Sequence, residues 1–144
     1  MEWKYEESRD SFHIPQDADE YTDGLVAIMM RIPDGWGRWI SCDRGWYQII
    51  VDIDRKLAKL DPNYSIHQVK EKFGGLRFYF EPTSSVDARA REEMRKIVGR
   101  GEAEAAKTCE QCGTNQRVRL RNERARVLTL CDVCDESFTG WHWT

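Results

Sequence analysis

The chain has 144 residues, 40% of them hydrophobic and 33% charged, with a formal charge of -3. That length fits one domain, or one domain carrying a small metal-stabilised appendage. No apolar run approaches the ~18 residues of a membrane span, and "MEWKYEESRDSFH" has neither the basic start nor the apolar stretch of a secretory signal, so a reducing, cytoplasmic setting is expected.

Residues 1–35 are acidic, with nine Asp or Glu against three Lys or Arg. Residues 1–20 are expected to be loosely ordered, with Trp3, Tyr5, Phe12 and Ile14 as candidate anchors. The apolar run "LVAIMMRIP" stops at Pro33 and is too short for its period to separate strand from helix. In "GWGRWISCDRGW", Trp36, Trp39 and Trp46 are either loop and core anchors or, with Tyr79, an aromatic contact surface, because Trp concentrates interface energy. Cys42 has no sequence-local His and is expected to be a core or surface thiol.

In "GWYQIIVDIDRKLAKLDPN", Trp46, Ile49, Ile50, Ile53, Leu57 and Leu60 recur at helical steps. Asp52, Asp54, Arg55, Lys56 and Lys59 fall mostly outside that face. Proline in "DPN" ends the helix. "SIHQVKEKFGGLRFYFEP" holds two alternating runs, and Gly74-Gly75 suits a hairpin turn that needs positive φ. That turn sets Phe73 opposite Leu76, Lys72 opposite Arg77 and Glu71 opposite Phe78. One face then carries Val69, Phe73, Leu76, Phe78 and Phe80 with Glu71 among them; the other carries Lys70, Lys72, Arg77 and Tyr79. A second helix is expected over residues 84–107, capped by Ser84 or Ser85 and ended or bent at Gly99 and Gly101.

Cys109, Cys112, Cys131 and Cys134 are spaced C-x2-C-x18-C-x2-C. In a reducing compartment such pairs are metal ligands more often than disulfides. Tetrahedral zinc takes four thiolates, and four leave no open position for water, so the expected cofactor is structural zinc rather than a catalytic ion or a redox dithiol. His142 is an alternative ligand that four thiols make unnecessary. "RVRLR" and "ARVLTL" are expected to fold back as a hairpin with "NE" near the bend. Phe138, Trp141 and Trp143 are expected to pack on this unit.

Arg117, Arg119, Arg121, Arg124 and Arg126 lie in the insert, opposed there only by Glu123. They read as a phosphate-binding patch or as the solvated face of a small hairpin paired to acidic segments. The negative net charge favours the second. Lys70, Lys72 and Arg77 carry the same two readings. Glu71, pointing toward an aromatic face, needs a cationic partner, expected from the helices or the 36–46 loop.

No phosphate loop, Gly-x-Ser-x-Gly elbow or His-Glu-x-x-His motif occurs. His13, His67 and His142 are far apart in sequence, and Asp52 and Asp54 diverge on a helix. An enzyme is therefore not expected.

Taken together, "GWYQIIVDIDRKL", "QVKEKFGGLRFYF" and "CEQCG…LTLCDVC" resemble a family of small proteins encoded by phages and prophage regions, over roughly residues 45–134. No activity comes with the resemblance. It implies a setting: an accessory protein of a mobile element, working inside a bacterial cell.

The sequence thus predicts an α+β fold. A hairpin or small antiparallel sheet packs on two helices over residues 1–107, and a zinc-ribbon-like or treble-clef-like unit follows over 108–144. The expected function is non-enzymatic docking on a host protein or nucleoprotein to modulate or inhibit it, anti-CRISPR counter-defence being one form. The alternative is a nucleic-acid-binding zinc protein using the arginine insert and the basic hairpin face. No membrane partner is expected.

Overall fold

The computed structural model describes residues 11–138. The expectations placed on Trp3, Tyr5, Trp141, His142 and Trp143 lie outside them. In chain order the elements are β1 (Phe12–His13), a 3-10 turn at Asp19–Tyr21, α1 (Thr22–Met30), β2 (Arg38–Ser41), a 3-10 turn at Arg44–Trp46 and α2 (Tyr47–Leu60). They continue with β3 (Ser65–Lys72), β4 (Gly75–Glu81), α3 (Ala88–Ala105), β5 (Val118–Arg121), β6 (Leu128–Cys131) and α4 (Asp132–Ser137). The fold is α+β, and no helix among the described residues is long and apolar enough to cross a membrane.

The run whose period was ambiguous forms α1, which buries Leu25, Ile28 and Met29 at helical spacing. In α2 the predicted stripe is realised at Ile49, Ile50, Ile53 and Leu57, which are buried, each worth about 1.5–3 kcal/mol, whereas Leu60 at the helix end is exposed. Asp54 departs from expectation, because it is buried rather than on the polar face. Arg31 Nε donates to it at 2.7 Å and the Tyr64 hydroxyl at 2.5 Å, so the charge is paired. The α3 helix starts later than the sequence suggests. Its cap is Asp87, which accepts from Ala90 N at 2.8 Å, not Ser84 or Ser85. Gly99 and Gly101 do not end it. A Cβ on Gly101 would sit 2.4 Å from Ile53 Cδ1, so this glycine is where α3 crosses α2 closely.

The main sheet has the order β1-β2-β3-β4. The predicted hairpin is its antiparallel pair, and two short strands extend it in parallel. The hairpin register differs from the expectation by two residues. Lys72 faces Gly75, Glu71 faces Leu76, Lys70 faces Arg77 and Val69 faces Phe78. Phe73 and Gly74 form the loop, with φ of 53° and 81°, the doubly left-handed geometry of a tight hairpin turn. Phe73 therefore leaves the apolar face and is 74% exposed. The like-charge pair is Lys70 with Arg77, not Lys72 with Arg77. A bulge between Ile66 and Gln68 shifts the pairing once more.

Ile66, Val69, Leu76 and Phe78 point inward onto α2 and α3. Since Ile66 and Val69 are both buried three positions apart, the bulge leaves His67 and Gln68 both turned to the other side. Among the described residues, that second face is the open one, with Gln68, Lys72 and Tyr79 exposed on it.

Candidate metal centre

The four ligand cysteines converge because each pair sits in a tight turn. Gly113, at φ 83°, lets its N–H reach Cys109 O at 2.9 Å, and Cys109 N donates to Thr114 O at 2.8 Å. This closes the first Cys-x-x-Cys knuckle. β5 and β6 then pair as the predicted hairpin, with Val118 opposite Cys131 and Arg121 opposite Leu128. The second pair begins a helix: Cys131 caps α4, and its Sγ accepts from Cys134 N at 3.3 Å. Knuckle, hairpin and helix make the unit treble-clef-like rather than ribbon-like.

All four sulfurs lie within 4.8 Å of one another. Cys112 Sγ and Cys131 Sγ are 3.8 Å apart. A tetrahedral ion with metal–sulfur bonds of about 2.3 Å requires sulfur–sulfur edges of about 3.8 Å. The set thus fits a metal ion, and no pair is a disulfide. Cys109 and Cys131 are buried, Cys134 is half-buried and Cys112 is exposed. The Cys134 amide beside it holds the Cys131 thiol down to about 7, while burial pushes the Cys112 and Cys134 thiols up. Leu128 and Leu130 are buried beside the sulfurs, with Val118 and Phe138 packed against them.

The metal unit is tied to the α+β core at its first knuckle. Gly45 N donates to Glu110 O at 2.7 Å, Asp43 N to Glu110 Oε2 at 3.1 Å and Trp46 Nε1 to Thr108 O at 2.9 Å. A Cβ on Gly45 would lie 2.1 Å from Cys109 O, so only glycine permits this approach. At the hairpin turn, Thr129 Oγ1 donates to Gly74 O at 2.6 Å. Burial, helped by Asp43, pushes the Glu110 carboxyl up to about 8, with the Asp43 N–H opposing. Sequence reasoning missed Asp43, Gly45, Glu110 and Thr129. Nothing in their local pattern marks a docking role.

No protein-family model, curated protein or solved structure matches this chain.

The arginines of the insert do not form a free patch. Arg121 is corrected to a structural residue. It is 2% exposed, donates to Leu130 O at 3.1 Å and pairs with Asp132 at 2.7 Å. Arg124 pairs with Asp135 at 2.6 Å and Arg119 with Glu123 at 3.6 Å. Arg126 pairs with Glu71 at 2.8 Å. Glu71 is thus inward and paired as expected, but its partner comes from the metal unit, not from the helices or the 36–46 loop. Arg117 alone of the five makes no ion pair among the described residues.

The tryptophans divide. Trp46 is fully buried and is removed from the candidate contact surface, while Trp36, Trp39 and Tyr79 are 58%, 52% and 42% exposed. His67 stacks on Trp36 at 4.6 Å and His13 on Trp39 at 3.5 Å, so neither His stands as an isolated base. Cys42 is buried in the core. Burial first, then Glu110 and Asp43, pushes its thiol well up, the opposite of a reactive cysteine.

Proposed function

We propose that this protein is a non-enzymatic binding protein whose C-terminal unit is folded by one structural zinc. The observation that carries the reading is the convergence of four cysteine sulfurs within 4.8 Å on a unit tied to the core. Four thiolates are a soft tetrahedral set suited to zinc and leave no site for a substrate or an activated water. Zinc here sets the 43–46 turn, the Phe73–Gly74 loop and the Arg126–Glu71 pair in fixed relation, and so steadies the sheet edge above them.

The resemblance to phage and prophage proteins supplies the setting for this reading: docking on a bacterial host component, with counter-defence such as anti-CRISPR inhibition as its most specific form. The ion pairs of the arginine insert count against that insert as the docking surface and in favour of the open sheet face.

Cys131→Ser should release zinc and loosen the region from residue 108 onward, since structural zinc in small units contributes on the order of 10 kcal/mol to folding. Elemental analysis and limited proteolysis read both effects. A variant with wild-type metal content and protease resistance refutes the proposal.

A further inference from the structure

Register places two outward rows side by side on the open face of the sheet. His13 pairs with Trp39 across β1 and β2. Ile40 pairs with Val69, so one step back Trp39 neighbours Gln68, which pairs with Tyr79 on β4. The adjacent row runs Ser41, Lys70, Arg77, and Lys72 follows it along β3. Trp39 and Tyr79 sit on strands separated by one strand, about 10 Å apart. The bulge adds Trp36, stacked on His67, at the end of the aromatic row.

Lys70 and Arg77 face each other directly, an arrangement that is destabilising without an anion. Neither they nor Lys72 make an ion pair among the described residues, whereas Arg119, Arg121, Arg124 and Arg126 are all paired. Among the described residues, Glu81 lies beyond Tyr79 at the strand end of this face, and Asp17 and Asp43 line the pocket beside Trp39 and Ser41.

Resting on the binding-protein reading above, we infer that this face binds single-stranded nucleic acid, with Trp39 and Tyr79 as base-stacking platforms and Lys70, Lys72 and Arg77 on the phosphates. Exposed rings beside cations suit unpaired bases, whose faces are free, and not a duplex, whose bases are already stacked. The face reads no sequence by this means; stacking tolerates every base.

The test is fluorescence anisotropy of the full-length, zinc-loaded protein with labelled oligothymidine and oligouridine of about 15 nucleotides, the upper end of a single-module site. A duplex of equal length is the third arm. Both single strands, or one of them, should bind at low salt more tightly than the duplex, and the two arms separate DNA from RNA. The log-log salt slope should be about -2, for three cations at about 0.7 each on single strands. Trp39→Ala and Tyr79→Ala should each weaken binding by about 5- to 150-fold, while Trp39→Phe retains most of it. Arg119→Ala should leave it unchanged. Circular dichroism and zinc content on the same samples report folding and the metal independently, so loss of zinc identifies failure of the underlying reading. No single-strand binding by the zinc-loaded protein, or wild-type affinity in both alanine variants, overturns the inference. So does nuclease-resistant capture of a lysate protein that Trp39→Ala abolishes, when no oligonucleotide binds; the face would then belong to a protein partner.

Discussion

Replacing Glu71 with glutamine tests how the metal unit is held to the sheet. The Glu71 side chain is 6% exposed; it accepts from Arg126 Nη2 at 2.8 Å and from Gly74 N at 2.7 Å. Glutamine keeps an oxygen for Gly74 but loses the charge that Arg126, itself 17% exposed, requires. Hydrogen bonds to charged groups contribute about 1.5–3 kcal/mol, so Glu71→Gln should cost about 2 kcal/mol. In a domain of this size that lowers Tm by about 4–8 °C. The value belongs to the pair, so Arg126→Gln should cost about as much and the double variant little more. Chemical denaturation of the four zinc-loaded proteins gives the coupling energy, expected at about 1.5–2 kcal/mol. The exposed Arg119–Glu123 pair, 3.6 Å apart, should couple by less than about 0.5 kcal/mol. Equal, near-zero coupling in the two pairs would show that the Glu71 contact does not hold the units together.

Two further substitutions probe neighbouring parts. Gly45→Ala drives a Cβ to 2.1 Å from Cys109 O and 2.5 Å from Glu110 O, both backbone atoms. It should cost at least about 2 kcal/mol and speed zinc loss to a chromogenic chelator; unchanged kinetics would mean that the knuckle does not depend on this approach. Arg121→Met keeps the buried stem but removes the donation to Leu130 O and the pairs to Asp132 and Asp135, and should cost about 2–4 kcal/mol. Arg119→Met should stay within about 0.5 kcal/mol, and thermal melts that rank the two the other way would reassign the insert.

The parts legible in the sequence were those with a strong local period or a fixed chemical spacing. The α2 stripe and the four cysteines are of this kind. The hairpin register was not legible, for a definite reason. A shift of two residues moves Phe73 into the loop but leaves the other strand side chains on the same face, so alternation in "LRFYFE" cannot distinguish a Gly74-Gly75 turn from Phe73-Gly74. The deciding interactions are the Glu71 carboxylate on Gly74 N and Arg126, and Arg126 is 55 residues away. Asp54 and Arg121 misled for the same reason. Each is polar, and each is buried because a distant segment supplies its partner: Arg31 and Tyr64 for the first, Leu130 with Asp132 for the second. Trp46 took the core place that the stripe gave it and not the alternative place on a contact surface. For the arginine insert the net charge favoured a hairpin face paired to acidic groups over a phosphate patch, and four of its five arginines are paired.

The structural-zinc reading is tested most directly by X-ray absorption at the zinc edge of protein purified without a metal-chelating tag. The four-thiolate geometry predicts one zinc per chain surrounded by four sulfurs at about 2.3 Å, with no nitrogen or oxygen in the shell. A metal-free protein with its cysteines in disulfides, or a shell containing nitrogen or oxygen, would contradict it.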